Sequence, residues 1–472
     1  MKRSSTLSAI VVSMGALASQ AVLLVSAPVL TRIYTPAELG VLATLTAMAA
    51  LVSPISALHF ELAVPIAKGA QQAEDAFRLA CISTLLVASI AALVVYLGSW
   101  HLLEGPDTEG VTNLLLYVPV SILFTGLSGA ILMWAIRHER HVANAGSKLT
   151  AATTQSSVQI GAGLAGLGAP GLLLGQLTGQ LLGMLTLARN CPALPRLKTS
   201  NGQWGNVIKS AIENKNFLIY SAPSSAVNAF GANMPVLMLA AQFDAHVAGL
   251  FGMGYRVLQL PARLVGQSIA QVFYSTAAQE RSANRLPAAA ERLLLATSSL
   301  ALYTFIPLGL IAPELFSLAF GKEWREAGVY AQYFMPWVAT AFVSMPVSMI
   351  VSVLGEQKNE LVLQLVYLVA AVLAALAAGL EHDARLTVAT LSCVGSCYFA
   401  LKITWLIKIS GCDLKILLRR TVGEAGGAIL LSFPLIIAIV SEVGSVNIVA
   451  LGICSIAIAH AFNLRKRSVY EV

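Results

Sequence analysis

The chain is a succession of apolar runs, each about 20 residues long, broken by short polar connections. A helix needs about 20 mostly apolar residues to cross the hydrocarbon core of a bilayer. Lipid offers the backbone no hydrogen bonds, so each such run has to be helical. Fourteen runs meet that length, at about 8–31, 41–64, 78–98, 113–136, 149–167, 170–188, 217–240, 248–275, 293–313, 328–354, 361–380, 386–407, 423–441 and 445–463. Charged residues make up 11% of the chain, against about 25% in soluble domains. That is too few to cover a water-soluble surface. The expected fold class is an all-α membrane protein with about 14 transmembrane helices.

Charge placement tests the count. Lys and Arg concentrate in loops on the cytoplasmic side. With the N-terminus inside, 24 of the 30 Lys and Arg residues fall in the N-tail, the even-numbered loops with the span ends beside them, and the C-tail. Arg32, Lys322, Arg325 and Arg385 fall on the other side, and Arg256 and Arg263 lie within a span. The expectation is a multi-pass protein of the bacterial inner membrane with both termini cytoplasmic. The first run is too long for the apolar core of a cleaved signal peptide, about 7–15 residues, so it reads as a retained helix. The net charge of +7 follows from this loop pattern. No basic domain exists to bind nucleic acid.

Arg189–Asn216 is the longest hydrophilic stretch and reads as a linker between lobes. The expected organisation is an N-terminal lobe at 1–188, a cytoplasmic linker at 189–216, a C-terminal lobe at 217–410, and two additional helices with a tail at 411–472. The lobes look related. Pro28-Val29-Leu30 and Pro235-Val236-Leu237 each end a lobe's first span, and Pro119 and Pro336 are each followed 20 residues later by a glutamate, Glu139 or Glu356. Six spans repeated in the same orientation form a parallel repeat, an arrangement that puts a substrate path at the repeat interface.

Ionisable groups inside a span cost about 2.5–3.5 kcal/mol on insertion scales and mark functional sites. The span at 248–275 carries Arg256, Gln259, Arg263, Gln267 and Gln271. At 100° per residue these five fall within about 120° of one another. Guanidinium groups pair with phosphate through two parallel hydrogen bonds, and Gln amides both donate to and accept from sugar hydroxyls. The stripe suits an anionic, sugar-bearing head group. Snorkelling to the interface is its structural alternative. His59 and Glu61, expected at the cytoplasmic end of the second span, are candidates for ion coupling, or for pairing with a neighbouring helix. Gln155, Gln159, Gln176 and Gln180 fit hydrogen bonding between helices, and Gly179 and Gly183 fit close packing.

Other signals exclude chemistry. The six cysteines have neither disulfide nor zinc spacing, and Cys393 and Cys397 read as buried packing residues. No metal site and no cofactor are expected. Gly161–Gly166 spells the dinucleotide fingerprint, but within a membrane helix rather than between a strand and a helix. A membrane glycan ligase or polymerase needs large outer loops, and the longest here, near Trp100–Thr112 and Pro313–Ala327, are about 15 residues.

Four motifs carry a family resemblance: Thr31–Gly40, Phe60–Pro65, Tyr255–Pro261 and Phe320–Gly328. With them the chain resembles the Wzx-type polysaccharide flippases of the MOP superfamily. The resemblance implies two lobes around a cationic cavity and a substrate of undecaprenyl-pyrophosphate-linked oligosaccharide. It implies partners among membrane lipids and the polysaccharide polymerase and chain-length proteins, and no nucleic acid. Arg256 and Glu61 fall on family positions. His59 departs from the pattern, in which an arginine is usual, and Arg263 lies outside it. Multidrug exporters and lipid II flippases of the same superfamily are the rival assignments.

The orientation is testable in a variant whose six native cysteines are serines. A membrane-impermeant maleimide should label Glu109→Cys in intact cells and Lys148→Cys only after lysis; the reverse pattern would invert the topology.

Overall fold

The computed structural model describes the backbone of residues 2–102, 114–191, 194–195, 204–214, 217–259, 266, 269, 273, 285–441 and 444–470. Every regular element among them is helical. Ten helices are long and apolar enough to span a membrane. The runs expected at 149–167, 217–240, 248–275 and 445–463 are not among those ten. The first two carry many Ser, Thr, Asn and Gln residues, the third lies partly outside the described residues, and the last is a shorter apolar helix, Ser445–His460.

Contacts divide the chain into two compact units, Met1–Ala240 and Ala241–Val472. The first contains α1 (Lys2–Ile33), α2 (Pro36–Val52), the short α3 (Ala63–Ile66), α4 (Ala70–Leu102), α5 (Tyr117–Arg137), α6 (His141–Leu164), α7 (Gly168–Arg189), α8 (Trp204–Glu213) and most of α9 (Ala222–Gln242). Thus the stretch at 189–216 contains a helix, and the contact division falls beyond it, near the end of α9. In α8, Trp204, Val207, Ile208, Ala211 and Ile212 recur at helical spacing among polar residues, the pattern of an amphipathic helix.

The hairpin at Thr31–Gly40 is built by its own side chains. Thr35 caps α2: its Oγ1 accepts from the Glu38 amide at 3.3 Å, and Glu38 Oε2 accepts from the Thr35 amide at 2.8 Å. The Tyr34 hydroxyl donates to the Gln159 carbonyl at 2.7 Å, tying the hairpin to α6. The buried Gln159 amide donates to the Leu172 carbonyl of α7 at 3.0 Å, and the Gln180 amide donates to Ser121 Oγ of α5 at 3.1 Å. These glutamines therefore join helices.

Gly175, Gly179 and Gly183 repeat every four residues along α7, so they line one face. A Cβ on Gly179 would lie 2.7 Å from the Ala151 carbonyl oxygen, and one on Gly183 2.8 Å from Ala151 Cβ. Backbones of α6 and α7 are in direct contact there, the small-residue packing of membrane helices.

The second unit holds α10 (245–259), α11 (Leu286–Phe320), α12 (Arg325–Val347), α13 (Met349–Leu354), α14 (Gln357–Gly379), α15 (Ala384–Ser410), α16 (Leu414–Val440) and α17 (Ser445–Tyr470). Its core is aromatic: Phe251, Phe316, Trp324 and Phe334 are fully buried, and Phe251 and Phe334 meet with centroids 5.2 Å apart. The loop expected over Pro313–Ala327 is mostly helix, because α11 continues to Phe320 and only a short turn precedes α12. That turn is pinned by Arg325 to Glu314 at 2.9 Å, by Ser445 Oγ donating to Glu314 at 2.6 Å, and by Arg385 to Glu326 at 2.7 Å. Loops expected on one side of the membrane are thereby gathered at one end of this unit. Cys393 and Cys397 are exposed on α15 rather than buried; thiols tolerate a lipid-facing position because they are weakly polar.

Gly179→Ala should lower thermal stability in detergent by about 1–3 kcal/mol, the usual cost of overpacking. Gly161→Ala, with open space around its Cβ, should not. Equal melting of both variants would contradict the backbone contact.

Candidate functional site

Two places carry the ionisable residues singled out in the sequence, one in each unit. The first follows α2. Pro54 lacks an amide donor, and the chain passes through a 3-10 turn at Ser53–Ile55. Leu58 and His59 then take positive φ, 51° and 61°, a left-handed conformation that costs energy in non-glycine residues. A second 3-10 turn, Phe60–Leu62, leads into α3. The membrane-spanning helix therefore ends at Ile55, and His59 and Glu61 lie in a broken segment beyond it. A helix to residue 64 was expected; the proline and the two left-handed residues end it early.

His59 Nδ1 is 3.4 Å from Glu61 Oε1, with side chains 13% and 12% exposed. Both ring nitrogens of His59 and Glu61 Oε2 are buried with no hydrogen-bond partner among the described residues. Burial pushes the Glu61 carboxyl above its ordinary value, a hydrogen bond from its own backbone opposing this, and pushes the His59 imidazole below its own. Both shifts favour the neutral forms. Phe60 and Val64 anchor the segment in an apolar cluster with Phe77, Ala80 and Trp134.

Arg137, at the end of α5, holds the segment from outside. Its guanidinium donates to the carbonyls of Val64 at 3.0 Å, Ala67 at 2.8 Å and Gly69 at 3.3 Å. The first two belong to α3 and its C-cap, where a helix leaves carbonyls without partners; the Gly69 carbonyl also accepts from the Ala73 amide at 3.2 Å at the start of α4. Sequence reasoning counted Arg137 only as a loop charge; its clamp depends on a contact 68–73 residues away, which no local spacing reveals. Arg78, also buried, is held by Asp75 at 2.9 Å and Glu74 at 3.0 Å.

The second place is α10. Phe251, Gly254 and Leu258 are buried at the three- and four-residue spacing of one helix face. A Cβ on Gly254 would lie 3.0 Å from the Ala327 carbonyl oxygen, so that face is pressed against α12. Tyr255 stacks toward Trp337 at 5.4 Å. Gly266 and Phe273, which continue the same face, are buried too. Arg256 is nearly opposite, two residues from both Gly254 and Leu258, and is exposed; Gln259 is half-buried. Arg263, Gln267 and Gln271 lie outside the described residues, so α10 presents two of the five residues of the expected stripe.

Residues 29–329 match the sequence model of a family described as polysaccharide biosynthesis protein. The chain belongs to that family. Solved structures give this polysaccharide biosynthesis protein its fold. The lipid II flippase MurJ in an inward closed conformation superposes with a TM-score of 0.75 at 11% identity, over 97% of this chain and 99% of that one. An inward-facing multidrug resistance MATE family transporter of the MOP superfamily gives 0.55 at 13% identity, over 83% and 94%. A MOP superfamily transporter from Pyrococcus furiosus, described as having a binding pocket of reversed polarity, gives 0.52 at 10%, over 86% and 95%. Comparison with curated proteins gave no match. This polysaccharide biosynthesis protein is therefore a multi-pass membrane protein with the fold of MOP-superfamily transporters and flippases.

Burial of Glu61 sets a sign. Its folded state resists ionisation, so stability should fall as pH rises above the carboxyl's ordinary 4.5. Glu61→Gln should remove that dependence and melt progressively higher than wild type as pH increases. Parallel melting curves for the two proteins across pH 4–8 would show that Glu61 is not desolvated.

Proposed function

We propose that this protein is a flippase for undecaprenyl-pyrophosphate-linked oligosaccharide, working by alternating access in the bacterial inner membrane with both termini cytoplasmic. It would supply lipid-linked units to surface polysaccharide assembly, beside the polymerase and chain-length proteins. The observation that carries the reading is Arg256. This arginine stands exposed on a helix whose opposite face is locked into an aromatic core, in a chain of a polysaccharide biosynthesis family.

The chemistry follows from side-chain geometry. Arg256 offers a planar fork to a pyrophosphate oxygen pair. Arg263, seven residues on in the sequence, would engage the second phosphate or the first sugar. Gln259, Gln267 and Gln271 would hydrogen-bond sugar hydroxyls. The rigid aromatic face of α10 fits this role, because a head group is bound with less ordering cost when its partners are already held. Glu61, with His59 beside it, is the candidate coupling acid: a carboxyl in a buried turn changes its contacts when it ionises.

A second reading, lipid II transport, draws support from the extent of the MurJ superposition and uses the same pyrophosphate chemistry. Multidrug export is disfavoured, since cationic drugs would meet Arg256 and Arg263 with like charge.

The test uses a strain lacking its own flippase and carrying the matching glycan pathway. Each arginine–phosphate contact contributes about 1.5–3 kcal/mol, so Arg256→Ala with Arg263→Ala should reduce surface polysaccharide more than about tenfold at unchanged membrane abundance. Undiminished export by the double variant would reject the mechanism. Rescue of a strain depleted of its lipid II flippase would favour the second reading.

A further inference from the structure

Away from both places, α2, α5 and α7 of the first unit bring neutral oxygen atoms from five side chains into one cluster. Thr46 comes from α2, Tyr117 and Ser121 from α5, and Gln176 and Gln180 from α7. Thr46 stands ten residues beyond the start of α2, about 15 Å along the helix, so the cluster lies inside the helical layer. We infer that these oxygens bind one sodium ion.

Two of the oxygens lack partners. The Tyr117 side chain is 4% exposed. Its hydroxyl stands beside Thr46 and Ser121, yet it is buried without a hydrogen-bond partner. Gln180 Oε1 is buried and unpartnered as well, although the Gln180 amide donates to Ser121 Oγ at 3.1 Å. A buried polar group left unpaired costs free energy, and such a group marks a place for water or an ion. Spacing favours the ion. Thr46 Oγ1 is 3.5 Å from Gln176 Oε1, beyond the usual 2.5–3.0 Å of an O–H···O bond. Oxygens around a cation of calcium's size lie about 2.3–2.6 Å from it. At right angles about the ion, neighbouring oxygens are then about 3.3–3.7 Å apart, which includes the Thr46–Gln176 separation. Sodium has that size, and the larger potassium needs a wider set.

The donor chemistry selects a monovalent ion. None of the five side chains is a carboxylate, and Leu45, Val118, Ile122 and Leu172 pack with Tyr117 in one apolar cluster. In those surroundings a charge has to be offset by its own ligands, and neutral oxygens offset a single charge better than a double one. Zinc and copper prefer nitrogen or sulfur ligands, which the cluster lacks. Sequence reasoning assigned Gln176 and Gln180 to bonding between helices and expected no metal, because hydroxyl and amide oxygens gathered from three helices have no ligand spacing to read.

The experiment is thermal melting of the purified full chain in sodium chloride, potassium chloride and choline chloride at equal ionic strength. Wild type should melt several degrees higher in sodium than in choline, since an ion that binds only the folded state stabilises it. Tyr117→Phe deletes an unpaired buried hydroxyl. In choline it should melt no lower than wild type, and in sodium it should melt lower. A purely structural hydroxyl would give the same order in every salt. Thr46→Val should also lose the sodium increment. Equal melting of wild type in sodium and choline, the result if the cluster holds water alone, overturns the site, as does an undiminished increment in both variants. An equal rise in potassium overturns the assignment to sodium. None of these measurements involves transport, so their failure is distinct from failure of the flippase reading.

Discussion

The backbone's need for hydrogen bonds where water is absent governs this structure. A helix satisfies every amide internally except in its first and last turns, so each break needs an external partner. Such partners are visible at several breaks among the described residues. Thr35 and Glu38 form a reciprocal cap on α2, and Asp383 and Asp413 accept the first free amides of α15 and α16. Gly355 and Gly411 end helices with φ of 83° and 75°, the left-handed closure that glycine adopts without a Cβ penalty. The largest break, at 53–69, needs most support, and Arg137 provides it with three hydrogen bonds to main-chain carbonyls.

The two units meet the packing problem differently. In the first, glycines bring α6 and α7 to backbone contact, and buried glutamines bridge helices. In the second, aromatic rings fill the space: Phe251, Tyr255, Phe334 and Trp337 form a continuous set. Small-residue interfaces are compact because little side chain intervenes. Aromatic interfaces are stiff because each ring has few rotamers. An arginine displayed from the second kind of surface is positioned by the rings behind it.

Much of this was legible in the sequence, and the reasons for the rest are physical. Span length and loop charge gave the helical class because both follow from the bilayer alone. The glutamines and glycines of α6 and α7 were readable because their spacing fixes a face. The end of α2 was not: the apolar run continues through Leu62 to Val64, and hydropathy cannot distinguish a helix from buried turns. Pro54 was the local signal for the break. The helix Trp204–Glu213 was hidden by the polar composition around it. Cys393 and Cys397 were misread because four-residue spacing fixes a shared face without saying whether that face meets protein. The Arg137 clamp depended on tertiary contacts.

The broken segment and the arginine helix differ in what a change of charge can do to them. Moving a helix such as α10 means disturbing several ring contacts at once. The segment at 58–69 has two left-handed residues, and Arg137 holds it with three hydrogen bonds. A new charge on Glu61, at 12% exposure with one oxygen unpartnered, would have to find a donor or reach water. The cheapest route is a change in the turn, because turn torsions rotate without breaking a helical ladder. Within the proposed transport cycle, ionisation at Glu61 would therefore be expressed in the backbone between α2 and α4, and Arg137 would resist it. A coupling acid inside an intact helix would lack that freedom, and in the proposed cycle the early end of α2 would supply it.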